Sequence, residues 1–110
     1  QVSYAIGVAE PMGIFADTYG TSKVNLTDGK IAEIIKGMPC FNLKPASVIS
    51  RLKLKNPIYS ETAAYGHMGR KSENKKVTFK INGQNKNFEI ETFTWEKLDC
   101  QEEVKEAFSL

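Results

Sequence analysis

The chain has 110 residues, a formal net charge of +2, 41% hydrophobic residues and 25% charged residues. These values are typical of one globular domain, and they exclude both a disordered chain and a strongly basic nucleic-acid-binding protein. No apolar run reaches the ~18 residues that span a membrane, and Cys40 and Cys100 are typical of reduced thiols, so we expect a cytoplasmic protein, with a single disulfide left open.

The first residues show the alternation of a β-strand, from Val2 to Ala9. One face carries the large side chains Val2, Tyr4, Ile6 and Val8. The other face carries only small residues, which favours tight packing against a helix or the close approach of another backbone or a ligand. Residues Gly13 to Tyr19 predict a second strand and hence a hairpin. A chain that opens in mid-strand is expected to be part of something longer.

Two helices are predicted next. Thr27 or Asp28 can cap the first helix, which Gly37 and Pro39 end. Pro45 suits the first turn of the second helix. The apolar stripes are Ile31, Ile34, Ile35 and Met38 in the first helix, and Val48, Ile49 and Leu52 in the second.

The remainder predicts a structured loop, a hairpin and a short helix. Residues 58–70 lack a clear period, whereas residues 75–93 alternate around Asn82-Gly83, a strong turn signal. Asp99 and Glu102 have the spacing of a helix capping box. The predicted apolar faces are Val77, Phe79, Ile81, Phe88 and Ile90 in the hairpin, and Cys100, Val104, Ala107 and Phe108 in the helix. The order of these elements along the chain shows no βαβ alternation, so it predicts an α+β fold with a sheet packed against helices.

The residues themselves offer little chemistry. His67 is the only histidine, and its place between glycines favours a structural role. Residues 66–72 lack the spacing of a phosphate-binding loop, and the cysteines and histidine are too few and too scattered for a zinc site. Glu10 and Asp17 are either an acid–base pair or ordinary surface carboxylates, and the latter is favoured. We therefore predict no catalytic and no metal-binding residue in this chain.

Several strings nevertheless resemble one enzyme family, the S-adenosylmethionine synthetases (methionine adenosyltransferases). Their order and approximate spacing match the C-terminal segment of that family over the whole chain. Met68 and Thr94 depart from the usual Phe and Pro, and residues of about 72–93 resemble an insertion. The matching strings are SYAIGVAEP (3–11), DTYGT (17–21), FNLKP (41–45), PIY (57–59), TAAYGHMGR (62–70) and WEK (95–97) with Asp99.

This resemblance implies an enzyme of three similarly folded α+β domains, of which residues 1–110 form the C-terminal part. Such enzymes join ATP to methionine, forming S-adenosylmethionine and releasing phosphate and pyrophosphate. They use Mg²⁺ and K⁺, and they are homo-oligomers, dimers or tetramers, with active sites between two subunits. The residues that hold the metals and the phosphates lie upstream of this segment in the family, so we expect neither ligands nor catalytic residues here. We also expect no nucleic-acid or membrane partner.

One ligand contact carries over from the family. Ile6 occupies the position that lies against the adenine ring, although a place in the core is the other interpretation. Tyr65, Gly66, His67, Gly69 and Arg70 are interpreted as a structural motif. The alternative to an enzyme part is a free-standing binding or assembly module with the same fold.

Overall fold

The computed structural model describes all 110 residues, and its elements follow the predicted α+β order. The strands are β1 (Val2–Ser3), β2 (Gly13–Ile14), β3 (Asn74–Ile81) and β4 (Gln84–Glu91), and the helices are α1 (Asp28–Gly37), α2 (Pro45–Arg51) and α3 (Gln101–Phe108). Two short 3₁₀ helices lie at Pro39–Phe41 and Thr94–Glu96. The chain forms two compact units, a terminal unit of Gln1–Val48 with Asp99–Leu110 and a middle unit of Ile49–Leu98.

The first hairpin of the terminal unit is much shorter than its sequence predicts. Strands β1 and β2 pair antiparallel over only two residues each, with Val2 opposite Ile14. The expected strands Val2–Ala9 and Gly13–Tyr19 are therefore wrong in length. An isolated two-stranded ribbon is marginal without a neighbouring strand or helix to cover its apolar face, and beyond Ser3 the backbone turns instead.

Helix α1 confirms its predicted start and end. The side chain of Thr27 accepts a hydrogen bond from the amide of Lys30 at 3.3 Å, as an N-cap residue does. Ile31 is buried on one face of the helix, and Met38, just after its last residue, is also buried. Helix α2 begins at Pro45, as predicted.

The predicted C-terminal helix is confirmed as α3, but its predicted N-cap is not. Cys100 takes the N-cap position, and no side chain accepts a capping hydrogen bond. The capping box of Asp99 with Glu102 is therefore wrong, because the helix begins one residue too late for that spacing. Glu102 and Glu103 lie in the first turn instead, where their charges favour the helix dipole.

The middle unit contains the long hairpin, which the structure confirms. Strands β3 and β4 pair over eight residues, from Asn74 opposite Glu91 to Ile81 opposite Gln84. Asn82 and Gly83 both have positive φ, 50° and 78°, as a type I′ turn requires. The small core of this unit consists of Ile58, Ile90, Thr92, Phe93 and Thr94.

Candidate functional site

Ile6 lies at a turn, and its side chain is fully exposed. The amide of Val8 donates to the carbonyl of Ala5 at 3.2 Å, and Gly7 has a φ of 86°, which suits the third residue of a type II turn. Within this chain Ile6 is therefore not part of the core of the terminal unit. Its contact with adenine stays a prediction.

The segment that carries Ile6 is held to another of the matching strings. The hydroxyl of Tyr4 donates to the carbonyl of Leu43 at 2.7 Å, and Lys44 forms an ion pair with Glu10 at 2.7 Å. Glu10, Leu43 and Lys44 are among the residues that line an open cleft of about 230 Å³. The structure thus brings SYAIGVAEP and FNLKP together, although they are separated by some thirty residues in the chain.

The string DTYGT is hydrogen-bonded to the first residue of helix α1. The hydroxyl of Thr18 donates to the carboxylate of Asp28 at 2.7 Å, and the amide of Thr18 donates to the same carboxylate at 3.3 Å. Asp17 accepts from the amide of Tyr19 at 2.8 Å. The structure gives Asp17 a local backbone partner and gives Glu10 the Lys44 ion pair, and it does not pair the two carboxylates with each other.

The loop TAAYGHMGR has an unusual backbone. Tyr65, Gly66 and Gly69 all have positive φ, at 59°, 76° and 67°. Left-handed backbone costs a β-carbon-bearing residue such as Tyr65 about 1 kcal/mol or more, so it persists only where neighbouring contacts hold it. The side chain of Tyr65 is fully exposed.

Arg70 supplies two of the contacts that hold this backbone. One guanidinium nitrogen donates to the carbonyls of Ala64 at 3.2 Å and Gly66 at 3.3 Å. The guanidinium also lies over the ring of Phe93, 4.6 Å from its centroid, in a cation–π contact. Because Phe93 is buried, Arg70 fastens the loop to the core of the middle unit.

The string WEK supplies the other contacts. The indole nitrogen of Trp95 donates to Nδ1 of His67 at 3.1 Å, and the two rings meet edge to face at 5.6 Å. The carboxylate of Glu96 accepts from the amide of Gly69 at 2.9 Å. The Nδ1 atom of His67 therefore accepts a hydrogen bond from within this chain. The structural role of this motif stays a prediction, consistent with these contacts.

Glu91 is the most strongly perturbed carboxylate of the middle unit. Its oxygens lie 2.8 Å from Nζ of Lys53 and 2.6 Å from Nζ of Lys97. Hydrogen bonds from these two lysines lower its pKa from 4.5 to about 2. Ser72 donates a further hydrogen bond at 3.3 Å. Sequence reasoning missed this group, since no local pattern links Lys53 and Lys97 to Glu91.

The two cysteines of the terminal unit are not joined by a disulfide. Burial, followed by the neighbouring Cys100 thiol and Glu103, raises the pKa of Cys40 to about 12. Cys40 is therefore protonated at neutral pH and is a poor nucleophile.

The structure shows no three His, Cys, Asp or Glu side chains gathered as metal ligands. Helix α1, the longest, has ten residues, and no helix is long and apolar enough to cross a membrane.

Comparison with known proteins shows one family. Residues 1–81 match the family described as "S-adenosylmethionine synthetase, C-terminal domain". The whole chain is 62% identical to an S-adenosylmethionine synthase of Flavobacterium johnsoniae, and 57% identical to one of Bacteroides thetaiotaomicron. It is 55% identical to one of Cytophaga hutchinsonii.

The chain spans about a quarter of the length of these relatives, 26%, 25% and 26% respectively, while all of the chain is covered. The alignments therefore include the hairpin β3–β4. That the hairpin is an insertion relative to the wider family stays a prediction. No solved structure matches the chain significantly.

Proposed function

The chain belongs to the S-adenosylmethionine synthetase family as its C-terminal domain, and on that premise we propose that it works as part of an enzyme that forms S-adenosylmethionine. The whole enzyme would join ATP to methionine and release phosphate and pyrophosphate. The observation that carries this proposal is the 62% identity to a synthase over the entire chain. It also favours an enzyme part over a free-standing assembly module.

Within that enzyme, Ile6 would form one side of the adenine pocket. A β-branched side chain offers a flat apolar wall to the face of a base. The exposed turn at Ile6 and Gly7 supports this role, because it presents the side chain without a partner of its own. The opposite wall of the pocket would come from the rest of the synthetase or from a second subunit.

The chain would supply structure and assembly surface rather than phosphate chemistry. A triphosphate needs several cations around it, because its charge is costly to desolvate without partners. In this chain Lys53 and Lys97 are paired with Glu91, and Lys75 with Glu61 and Glu73. These three lysines neutralise neighbouring carboxylates. Following the family resemblance, the phosphate-binding groups and the Mg²⁺ and K⁺ ligands would lie elsewhere in the enzyme.

We further propose that the enzyme is a cytoplasmic homo-oligomer without a nucleic-acid or membrane partner. Residues 1–110 would be its C-terminal part, with the hairpin of about residues 72–93 inserted.

The substitution Ile6→Ala in the full-length enzyme tests the pocket. Removing an apolar wall from a well-packed site costs about 2–4 kcal/mol, so ATP binding should weaken while methionine binding stays unchanged. Calorimetric titration of each substrate measures both affinities. Met12→Ala, which removes another exposed apolar side chain of the terminal unit, is the control and should change neither. Equal losses for both substrates, or no loss for ATP, would contradict the adenine contact.

A further inference from the structure

Ile6 lies at the tip of the loop that joins strands β1 and β2. The amide of Met12 donates to the carbonyl of Ser3 at 2.8 Å and closes this loop at its base. At the tip, residues 5–8 form the turn that presents Ile6, here called the Ile6 turn. Because the two strands pair only as far as Ser3, the ladder does not order the residues between the base and the tip. Their conformation depends on other contacts.

Two side-chain contacts hold the flanks of the Ile6 turn to one short segment of the terminal unit. Before the turn, the hydroxyl of Tyr4 donates to the carbonyl of Leu43 at 2.7 Å. After the turn, the carboxylate of Glu10 lies 2.7 Å from Nζ of Lys44, the next residue after Leu43. The turn that carries Ile6 is therefore fastened to the same place from both sides.

The contact of Tyr4 is the stronger of the two. The side chains of Lys44 and Glu10 are 46% and 65% exposed, and an ion pair as exposed as this one contributes little. The hydroxyl of Tyr4 lies at the preferred distance for an O–H···O hydrogen bond. A tyrosine side chain has only two rotatable torsions, so fixing its hydroxyl also fixes the backbone that carries it, two residues before Ile6.

We propose that Tyr4 is a positioning residue for ATP, which holds the Ile6 turn in the orientation that places Ile6 against the adenine ring. This inference rests on the proposed adenine contact of Ile6 and adds the group that orients it. Ile6 has no packing of its own to fix it, since its side chain is fully exposed. A wall fixed through its backbone binds more tightly, because less conformational freedom is lost on binding. Tyr4 acts through Ile6 and makes no contact of its own with the base.

The substitution Tyr4→Phe in the full-length enzyme tests this role, because it removes the hydroxyl and keeps the ring. The dissociation constant for ATP should rise about 3- to 10-fold, the equivalent of one hydrogen bond between neutral groups. The affinities for methionine and for inorganic triphosphate, which lacks the base, should stay unchanged. Calorimetric titration measures all three affinities. An unchanged ATP affinity, or an equal loss for all three ligands as in a general structural defect, would overturn the proposal.

Tyr59→Phe is a matched control from the middle unit. The hydroxyl of Tyr59 donates to the carbonyl of Leu54 at 2.6 Å, and Tyr59 is 49% exposed against 48% for Tyr4. The two substitutions therefore remove the same kind of bond at the same exposure, and they should lower the melting temperature by similar amounts. Only Tyr4→Phe should weaken ATP binding. An equal loss of ATP affinity in Tyr59→Phe would overturn the proposal, because the effect would then not depend on the Ile6 turn.

A double-mutant cycle with Ile6→Ala decides whether Tyr4 acts through Ile6. In the Ile6→Ala background the apolar wall is gone, so adding Tyr4→Phe should cause no further loss of ATP affinity. A further 3- to 10-fold loss in that background would show that Tyr4 acts independently of Ile6 and would overturn the proposal.

The same cycle separates this inference from the adenine contact on which it rests. Normal ATP affinity in Ile6→Ala would refute the contact, and the positioning role with it. Weakened ATP binding in Ile6→Ala beside normal binding in Tyr4→Phe would refute the positioning role alone and leave the adenine contact standing.

Discussion

Substituting Glu91 with Gln should loosen the base of the hairpin at neutral pH. The carboxylate is 12% exposed and accepts from two lysines, whereas the amide of Gln keeps the shape but loses the charge. A pKa lowered from 4.5 to about 2 corresponds to about 3 kcal/mol of stability at pH 7. The lysines are themselves 53% and 44% exposed, and solvent screening reduces this figure, so we expect a loss of about 1–2 kcal/mol.

The effect should depend on pH in one direction. Because the folded pKa lies below the unfolded value, the stabilisation is complete above about pH 4.5 and is lost as the pH falls towards 2. Above that range the difference between wild type and Glu91→Gln should stay constant to pH 8. Below it the two proteins should converge.

Hydrogen exchange of the full-length protein, followed by mass spectrometry on peptides covering residues 72–92, measures the opening free energy of this region. Glu89→Gln is a matched control, because Glu89 lies on the same strand and pairs with Lys76 at 3.2 Å but is 80% exposed. An exposed pair contributes about 1 kcal/mol at most, so this control should change little at any pH. Equal effects for Glu91 and Glu89, or an effect of Glu91→Gln that persists unchanged to pH 2.5, would refute the ion-pair explanation.

Two further predictions concern the loop and the hairpin. In a thermal unfolding assay, Gly69→Ala should destabilise the protein by about 1 kcal/mol, because the φ of 67° at this position is left-handed, although an added β-carbon would meet no neighbour. Gly29→Ala is the control, since it lies in helix α1 with equally open space, and it should be neutral or stabilising by about 0.5 kcal/mol. Replacing Thr78–Asn87 by an Asn-Gly turn shortens the hairpin and keeps Val77 opposite Phe88. If the hairpin lies away from the active site, this change should alter assembly or melting temperature and leave S-adenosylmethionine formation unchanged. A loss of kcat with assembly and melting temperature both unchanged would contradict that role.

The sequence predicted local structure well wherever one short segment decides it. Asn82-Gly83 determines the turn of the long hairpin, and Thr27 caps helix α1, because turn and cap chemistry involve only neighbouring residues. The alternation from Val2 to Val8 predicted a strand that is too long. A strand also needs a partner along its whole length, and β2 pairs with β1 over only two residues.

In the candidate site, too, the sequence predicted local features but not contacts between residues distant in the chain. The resemblance marked TAAYGHMGR and WEK as notable strings, but only the fold shows that Trp95 donates to His67 and Glu96 accepts from Gly69. The pairing of Glu91 with two lysines distant in sequence could not be read from any pattern, since surface-type Lys and Glu residues occur throughout the chain. For Ile6 the alternation suggested a buried side chain, whereas the turn at Gly7 exposes it.

The most direct test of the proposed role measures S-adenosylmethionine formed from ATP and methionine, with Mg²⁺ and K⁺ present, by the full-length protein and by residues 1–110 alone. We predict turnover by the full-length protein and none by the 110-residue chain, which would lack the residues that hold the metals and the phosphates in the family. A full-length protein without turnover would contradict membership of a working synthetase. Turnover by the purified 110-residue chain that survives a second purification would contradict the assignment of the chemistry to the rest of the enzyme.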